Sequence, residues 1–233
     1  MLVRIATTNR SLVPIATKYP RRNVWFEVHD MREQLRWVDG TFDLIHARDL
    51  SMGVSYLPQF PSPLNLLGGQ IGDWVALINE VARLLRPGGL FISCEWVLSP
   101  TFRPGVERDP ATHAPASMRF FHAIEGALAA RGVILVGNNV KHYLEASHQF
   151  HAITETPHCV GVGEELQDEA ESRVGHDLMR VLRRFTHSVT PLLREAGLTK
   201  FEIGEIIADY LGELQNPETG LAYVYDVTYA RRV

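Results

Sequence analysis

Cysteine is scarce in this 233-residue chain: Cys94 and Cys159 are the only two. That excludes a disulfide framework, and the position of Cys94 inside the apolar run "LFISC" favours reduced thiols. A long apolar run is also lacking. Nothing approaches the roughly 18 residues of a membrane span, and Met1 to Ile5 lead into polar residues rather than a secretory core. The expectation is an intracellular protein, cytoplasmic or nuclear, without a membrane partner. An excess of basic charge is missing as well. With 23 Lys and Arg against 27 Asp and Glu, a net charge of −4 and a pI near 6.2, the surface is unsuited to nucleic acid. Internal repeats and low-complexity tracts are absent too. What remains is an ordinary globular composition, 45% hydrophobic and 21% charged, long enough for one sizeable core. Small molecules or proteins are the expected partners.

Hydrophobic patterning then predicts the elements. "NVWFEV" is β-rich and predicts a strand at 24–28, and "TFDLIHA", entered through "VDGT", predicts another at 42–47. Between 52 and 72, Pro58, Pro61, Pro63 and Gly68-Gly69 forbid a regular helix, so a long loop is expected. Asp73 offers an N-cap, and Trp74, Leu77, Ile78, Val81, Leu84 and Leu85 recur on one helical face, predicting a helix at 73–86. Pro87 ends it, and Gly88-Gly89 permit a tight reversal into "LFISCEWV", a strand at 90–97 apolar enough to be buried on both faces. Strand, helix, turn, strand reads as a βαβ crossover and hence an α/β protein.

Downstream, Pro100, Pro104, Pro110 and Pro115 predict a mobile loop over 99–115, followed by a helix at 116–131 closed by Gly132. A further helix is expected to begin near Asn138 or Asn139. "FHAITETPHCVGVG" predicts a strand at 150–156, and the stripe Val174, Leu178, Val181, Leu182, Phe185, Val189 predicts a helix at 168–196, which Pro191 should kink or restart. A helix at 200–214 and a strand at 221–230 complete the pattern.

In this order, "WFEVHDM", "TFDLIHARDL" and "DWVALINEVARLLRPGGLFISCEW" resemble the class I S-adenosylmethionine-dependent methyltransferases, and within them the fungal secondary-metabolism regulator-like (TAM-domain) branch. The resemblance covers residues 20–97 best; "PLLREAGL" and "YLGELQNPETGLAYVYDVTYARR" resemble that branch's C-terminal half. It implies an α/β fold, a Rossmann-like sheet with flanking helices, forming one methyltransferase-like domain over 1–233. Within it, 1–97 would be a partial cofactor-binding core and 98–233 a C-terminal half with a helical insertion and the last strands. S-adenosyl-L-methionine is the implied cofactor, and methyl transfer to an unidentified small-molecule acceptor the implied activity.

Residue by residue, the resemblance carries the adenine-binding carboxylate onto Asp30, with Met31 beside the ring, and the methionine side of the cofactor onto Ala47, Arg48 and Asp49. Taken without the resemblance, Asp30 reads as a turn or N-cap residue after a strand. Glu95 and Trp96 end the next strand and would face an acceptor cavity under loops 56–72 and 99–115, although a core tryptophan fits Trp96 equally. His29 and His46 lie near the same edge. Methyl transfer from a sulfonium rests on positioning more than on acid–base help, so half-buried strand histidines are the favoured reading. "HQFH" and His158-Cys159 invite a metal, but histidines three apart on a strand face opposite sides, which opposes convergence. "KYPRR" reads as a solvated turn.

The sequence departs from the family at its start. No glycine-rich turn precedes Asn23, and Arg4 stands where an acidic residue would bind ribose hydroxyls; an arginine cannot accept those hydrogen bonds. The expectation is an N-terminally truncated sheet without the family's first strand. The alternative is a non-catalytic scaffold in a regulatory protein complex, its long C-terminal helices forming the contact face. A nicotinamide-dependent reductase shares the fold, but its glycine fingerprint is equally absent. With an unfilled place in the sheet, "LVRIA" is expected to slide inward beside the 42–47 strand, or the chain to be partly unfolded.

Overall fold

A computed structural model describes residues 3–7, 24–28, 34–50, 72–131, 139–163 and 168–233. In chain order its elements are β1 (Val3–Thr7), β2 (Val24–Val28), β3 (Phe42–Arg48), α1 (Gly72–Leu84), β4 (Leu85–Phe102), α2 (Pro110–His113), α3 (Pro115–Ala129), α4 (Val140–Ser147), β5 (Phe150–Gly161), α5 (Glu169–Glu195), α6 (Lys200–Gln215) and β6 (Leu221–Arg232). A four-stranded sheet has the order β3-β4-β6-β5, with β1-β2 forming a separate pair. β3 and β4 are parallel, and β6 is antiparallel to both β4 and β5. The result is a mixed α/β arrangement with a central sheet and flanking helices.

The β3–α1–β4 crossover follows from the residues that predicted it. Trp74, Leu77, Ile78 and Val81 bury one face of α1 against Phe91 of β4, together with Phe150 and Ala230. At the turn, Gly88 takes φ +75°, a backbone region that a side chain disfavours. A Cβ on Gly89 would lie 2.8 Å from the Arg86 carbonyl oxygen and 3.3 Å from that of Phe42, so the bare backbone is what lets β4 start beside β3. Arg83, in the last turn of α1, donates to Glu80, Asp39 and the carbonyls of Trp37 and Leu35, tying the approach to β3 onto the helix. Hydrogen bonding from that guanidinium lowers the pKa of Glu80.

Side-chain alternation sends the sheet's two faces into different layers. Phe91 and its β6 partner Ala230 pack with α1 and α4. Tyr223 and Leu221, on the other face of β6, pack with Phe102 and helices α3, α5 and α6. There Phe120 stacks on Tyr210 at 4.1 Å between ring centroids, and the capping box of Thr199 and Glu202 opens α6.

Two expectations are revised. "LVRIA" does not slide: Val3–Thr7 pairs in parallel with Val24–Val28, residue for residue, rather than with β3. The nearer strand along the chain closes the shorter loop, which favours it modestly. The proline-rich stretch 99–115 is more regular than a loop. Pro100 sits where β4 shifts register against β6, a place a strand tolerates proline, and Pro110 and Pro115 occupy helix starts, where a missing N–H is harmless. The helix expected at 168–196 forms as α5, with Pro191 inside it.

Candidate functional site

The parallel strands β3 and β4 end side by side, with Arg48 paired to Cys94. Ligands of open α/β sheets bind beyond such carboxyl ends. Ala47 is buried in the layer under α1, while Arg48, one residue on, projects from the opposite face with its side chain 67% exposed. Immediately after it, Asp49 adopts φ +51°, an uncommon conformation that Asp tolerates better than most. Two bonds hold this turn: the Asp49 amide donates to the Cys94 carbonyl at 2.9 Å, and the Leu50 amide donates to Glu95 Oε1 at 2.8 Å.

On the Arg48 face, Arg48 Nε donates to the Tyr225 hydroxyl at 2.9 Å, and its guanidinium carbon stands 5.8 Å from the centre of that ring. Tyr225 in turn lies 4.8 Å, centroid to centroid, from Trp96. His46 Nε2 is 3.4 Å from Cys94 Sγ. The Tyr225 hydrogen bond raises the pKa of Arg48, and burial raises that of Asp49 against the pull of Arg48. Burial likewise raises Cys94 and Tyr225. Cys94 is therefore a thiol at neutral pH rather than a nucleophilic thiolate.

The other face carries buried acids. Glu95 pairs with Asp226 across the β4–β6 ladder, both nearly inaccessible at 2% and 4%. Asp226 Oδ2 accepts from Thr228 Oγ1 at 3.1 Å, whereas Asp226 Oδ1 and Ser93 Oγ are buried without a hydrogen-bond partner among the described residues. Burial, and then the charge of Asp226, raises the pKa of Glu155 on β5.

Of the residues singled out in the sequence, Asp30, Met31 and His29 lie outside the described residues, as does loop 56–71. Ala47 and Arg48 do meet at the carboxyl edge, Ala47 contributing backbone and Arg48 its side chain. Glu95 is not turned to an open cavity but fastens Leu50, and Trp96 packs against Tyr225 and the α3–α5–α6 layer. Among the described residues no group of three or more His, Cys, Asp or Glu is arranged to hold a metal ion, and no helix is long and apolar enough to cross a membrane. Tyr225 and Cys94 went unnoticed as partners of Arg48. The alternation of "YVYDVTY" does put Tyr223, Tyr225, Val227 and Tyr229 on one face, but only the β4–β6 register brings that face to Arg48.

No protein-family model matches the sequence, and no curated protein matches it. Several solved structures are similar in shape. Phosphoethanolamine N-methyltransferase 2 of Haemonchus contortus, in complex with S-adenosyl-L-methionine, is 13% identical with a TM-score of 0.48; the match covers 99% of this chain and 43% of that one. The chain thus spans less than half of that protein. The YcgJ protein of Bacillus subtilis is 13% identical with a TM-score of 0.48, over 99% of this chain and 82% of that one. A geranyl diphosphate methyltransferase in complex with S-adenosylmethionine is 13% identical with a TM-score of 0.44, over 100% and 69%. Likeness at this level does not extend to residues or chemistry.

Proposed function

We propose that the chain is a class I methyltransferase-like domain that binds S-adenosyl-L-methionine and transfers its methyl group to a small-molecule acceptor. The supporting observation is the β3–α1–β4 crossover: two of the three stretches that carry the family resemblance build it, and Arg48, which that reading assigns to the methionine side of the cofactor, ends its first strand. The residues present fit such a ligand. Small, buried Ala47 adds no side-chain bulk at the edge, the Asp49 and Leu50 amides are held by the Cys94 carbonyl and the Glu95 carboxylate, and Arg48 supplies a charge for the cofactor's polar end. Asp30 would take the adenine and Met31 would pack beside it. When bound, the cofactor supplies an electrophilic methyl on a sulfonium; the protein's part is to hold donor and acceptor together and exclude water.

Calorimetry of the 233-residue chain with S-adenosylmethionine and S-adenosylhomocysteine tests this. Low-micromolar binding that weakens in Asp30→Ala is expected; no binding of either nucleoside would refute it. A second reading, a non-catalytic scaffold in a regulatory protein complex, is favoured by Val174 and Val181, exposed at 54% and 58% two turns apart on α5. Methyl transfer to any acceptor would count against it.

A further inference from the structure

Arg48 is held in place without spending the part of the side chain that best recognises ligands. Its Nε is engaged by Tyr225 and its plane rests near the Tyr225 ring, which Trp96 backs from within the sheet. Its nearest carboxylate oxygen, on Asp49, stands 3.9 Å from the same Nε. Among the described residues, the two terminal nitrogens of Arg48 make no hydrogen bond. Arg83 is the contrast: both of its terminal nitrogens are taken up by Glu80, Asp39 and two carbonyls, as befits a structural tie. A guanidinium whose Nε is fixed and whose fork is open presents two parallel N–H donors, the geometry that matches a planar carboxylate. The backbone on its C-terminal side is also pinned, by the Asp49 and Leu50 amides, so the fork is presented from a rigid edge.

We propose that Arg48, oriented by Tyr225, is a carboxylate-binding residue for a small organic ligand at the carboxyl edge of β3 and β4. The placement of that edge as a ligand site rests on the methyltransferase reading, which offers two sources of the carboxylate: the amino-acid end of the cofactor, or the methyl acceptor. Tyr225 and Trp96 supply flat, partly apolar surface beside the charge, suiting a ligand with an aromatic or aliphatic body.

Calorimetry on the whole chain separates the sources. S-adenosylhomocysteine is compared with 5′-methylthioadenosine, which lacks the amino-acid end, and benzoate with uncharged benzamide. Arg48→Gln is expected to weaken S-adenosylhomocysteine if the cofactor is the source, or benzoate if the acceptor is, by about 10- to 100-fold, leaving the uncharged counterpart unchanged. Tyr225→Phe should cause a smaller loss in the same ligand, and Arg86→Gln, which alters an exposed arginine at the other end of β4, none. Benzoate binding that depends on Arg48 in a chain that ignores S-adenosylhomocysteine would leave this proposal standing and remove the methyltransferase reading. Binding of neither carboxylate by the wild-type chain, or equal binding of both by Arg48→Gln, would overturn it.

Discussion

At the scale of residues, Arg48 and Arg83 differ among the described residues: the terminal nitrogens of Arg83 are all engaged, and those of Arg48 make no hydrogen bond. Glu155 shows how a carboxyl can be placed at a disadvantage. Its pKa is raised, first by burial and then by Asp226, so the folded chain holds that proton more tightly than the unfolded chain does. The contribution favours folding at acidic pH, below the ordinary glutamate value, and is lost as pH rises through that value towards the raised one. Glu155→Gln, which keeps the shape and removes the titration, should therefore gain in Tm relative to wild type at pH 7 and show no gain near pH 4. Thermal unfolding followed by circular dichroism between these values measures the difference; a gain that is independent of pH would show that the charge of Glu155 is not the cause.

At the scale of elements, the turn between α1 and β4 is the point where backbone chemistry is least replaceable. Gly88→Ala should cost about 1–2 kcal/mol for holding a side chain at positive φ. Gly89→Ala should be the more damaging, because its Cβ would stand 2.8 Å from a backbone oxygen that cannot swing away. Urea unfolding of the two variants ranks them, and a milder Gly89→Ala would mean that β3 and β4 can separate locally. This turn was legible in the sequence because Pro87-Gly88-Gly89 is a local signal. The element boundaries that drifted were decided elsewhere: β4 continues to Phe102, past the predicted end at 97, because β6 pairs with it across the register shift as far as Leu221. The prolines of 99–115 read as loop because four of them fall within sixteen residues, whereas Pro110 and Pro115 each stand in the first turn of a helix, where a missing N–H is harmless.

At the scale of the whole molecule, the described strands fall into a four-stranded sheet with helical layers on its two faces and a separate parallel pair, β1-β2. A two-stranded pair standing alone is marginal in water, whereas β4 and β6 are each paired on both sides. Hydrogen exchange should therefore be slowest in β4 and β6, intermediate in β3, and fastest among the strands in Val3–Thr7 and Val24–Val28, which should open together. Mass spectrometry of exchanged peptides gives the order. Protection of Val3–Thr7 equal to that of β4 would show that the pair is joined to a larger sheet.

The sequence by itself determined the α/β class, the β3–α1–β4 crossover, most helices and the closeness of Ala47 and Arg48 to a strand end, since each is assembled from local patterns: apolar periodicity, caps, and glycine or proline at turns. Only the tertiary structure decided that Val3–Thr7 pairs with Val24–Val28, that Glu95 serves the Leu50 amide, and that Arg48 meets Tyr225 from 177 residues further along the chain. Strand register sets those contacts, and register is chosen by the burial of whole faces, a sum over distant residues that no local pattern contains.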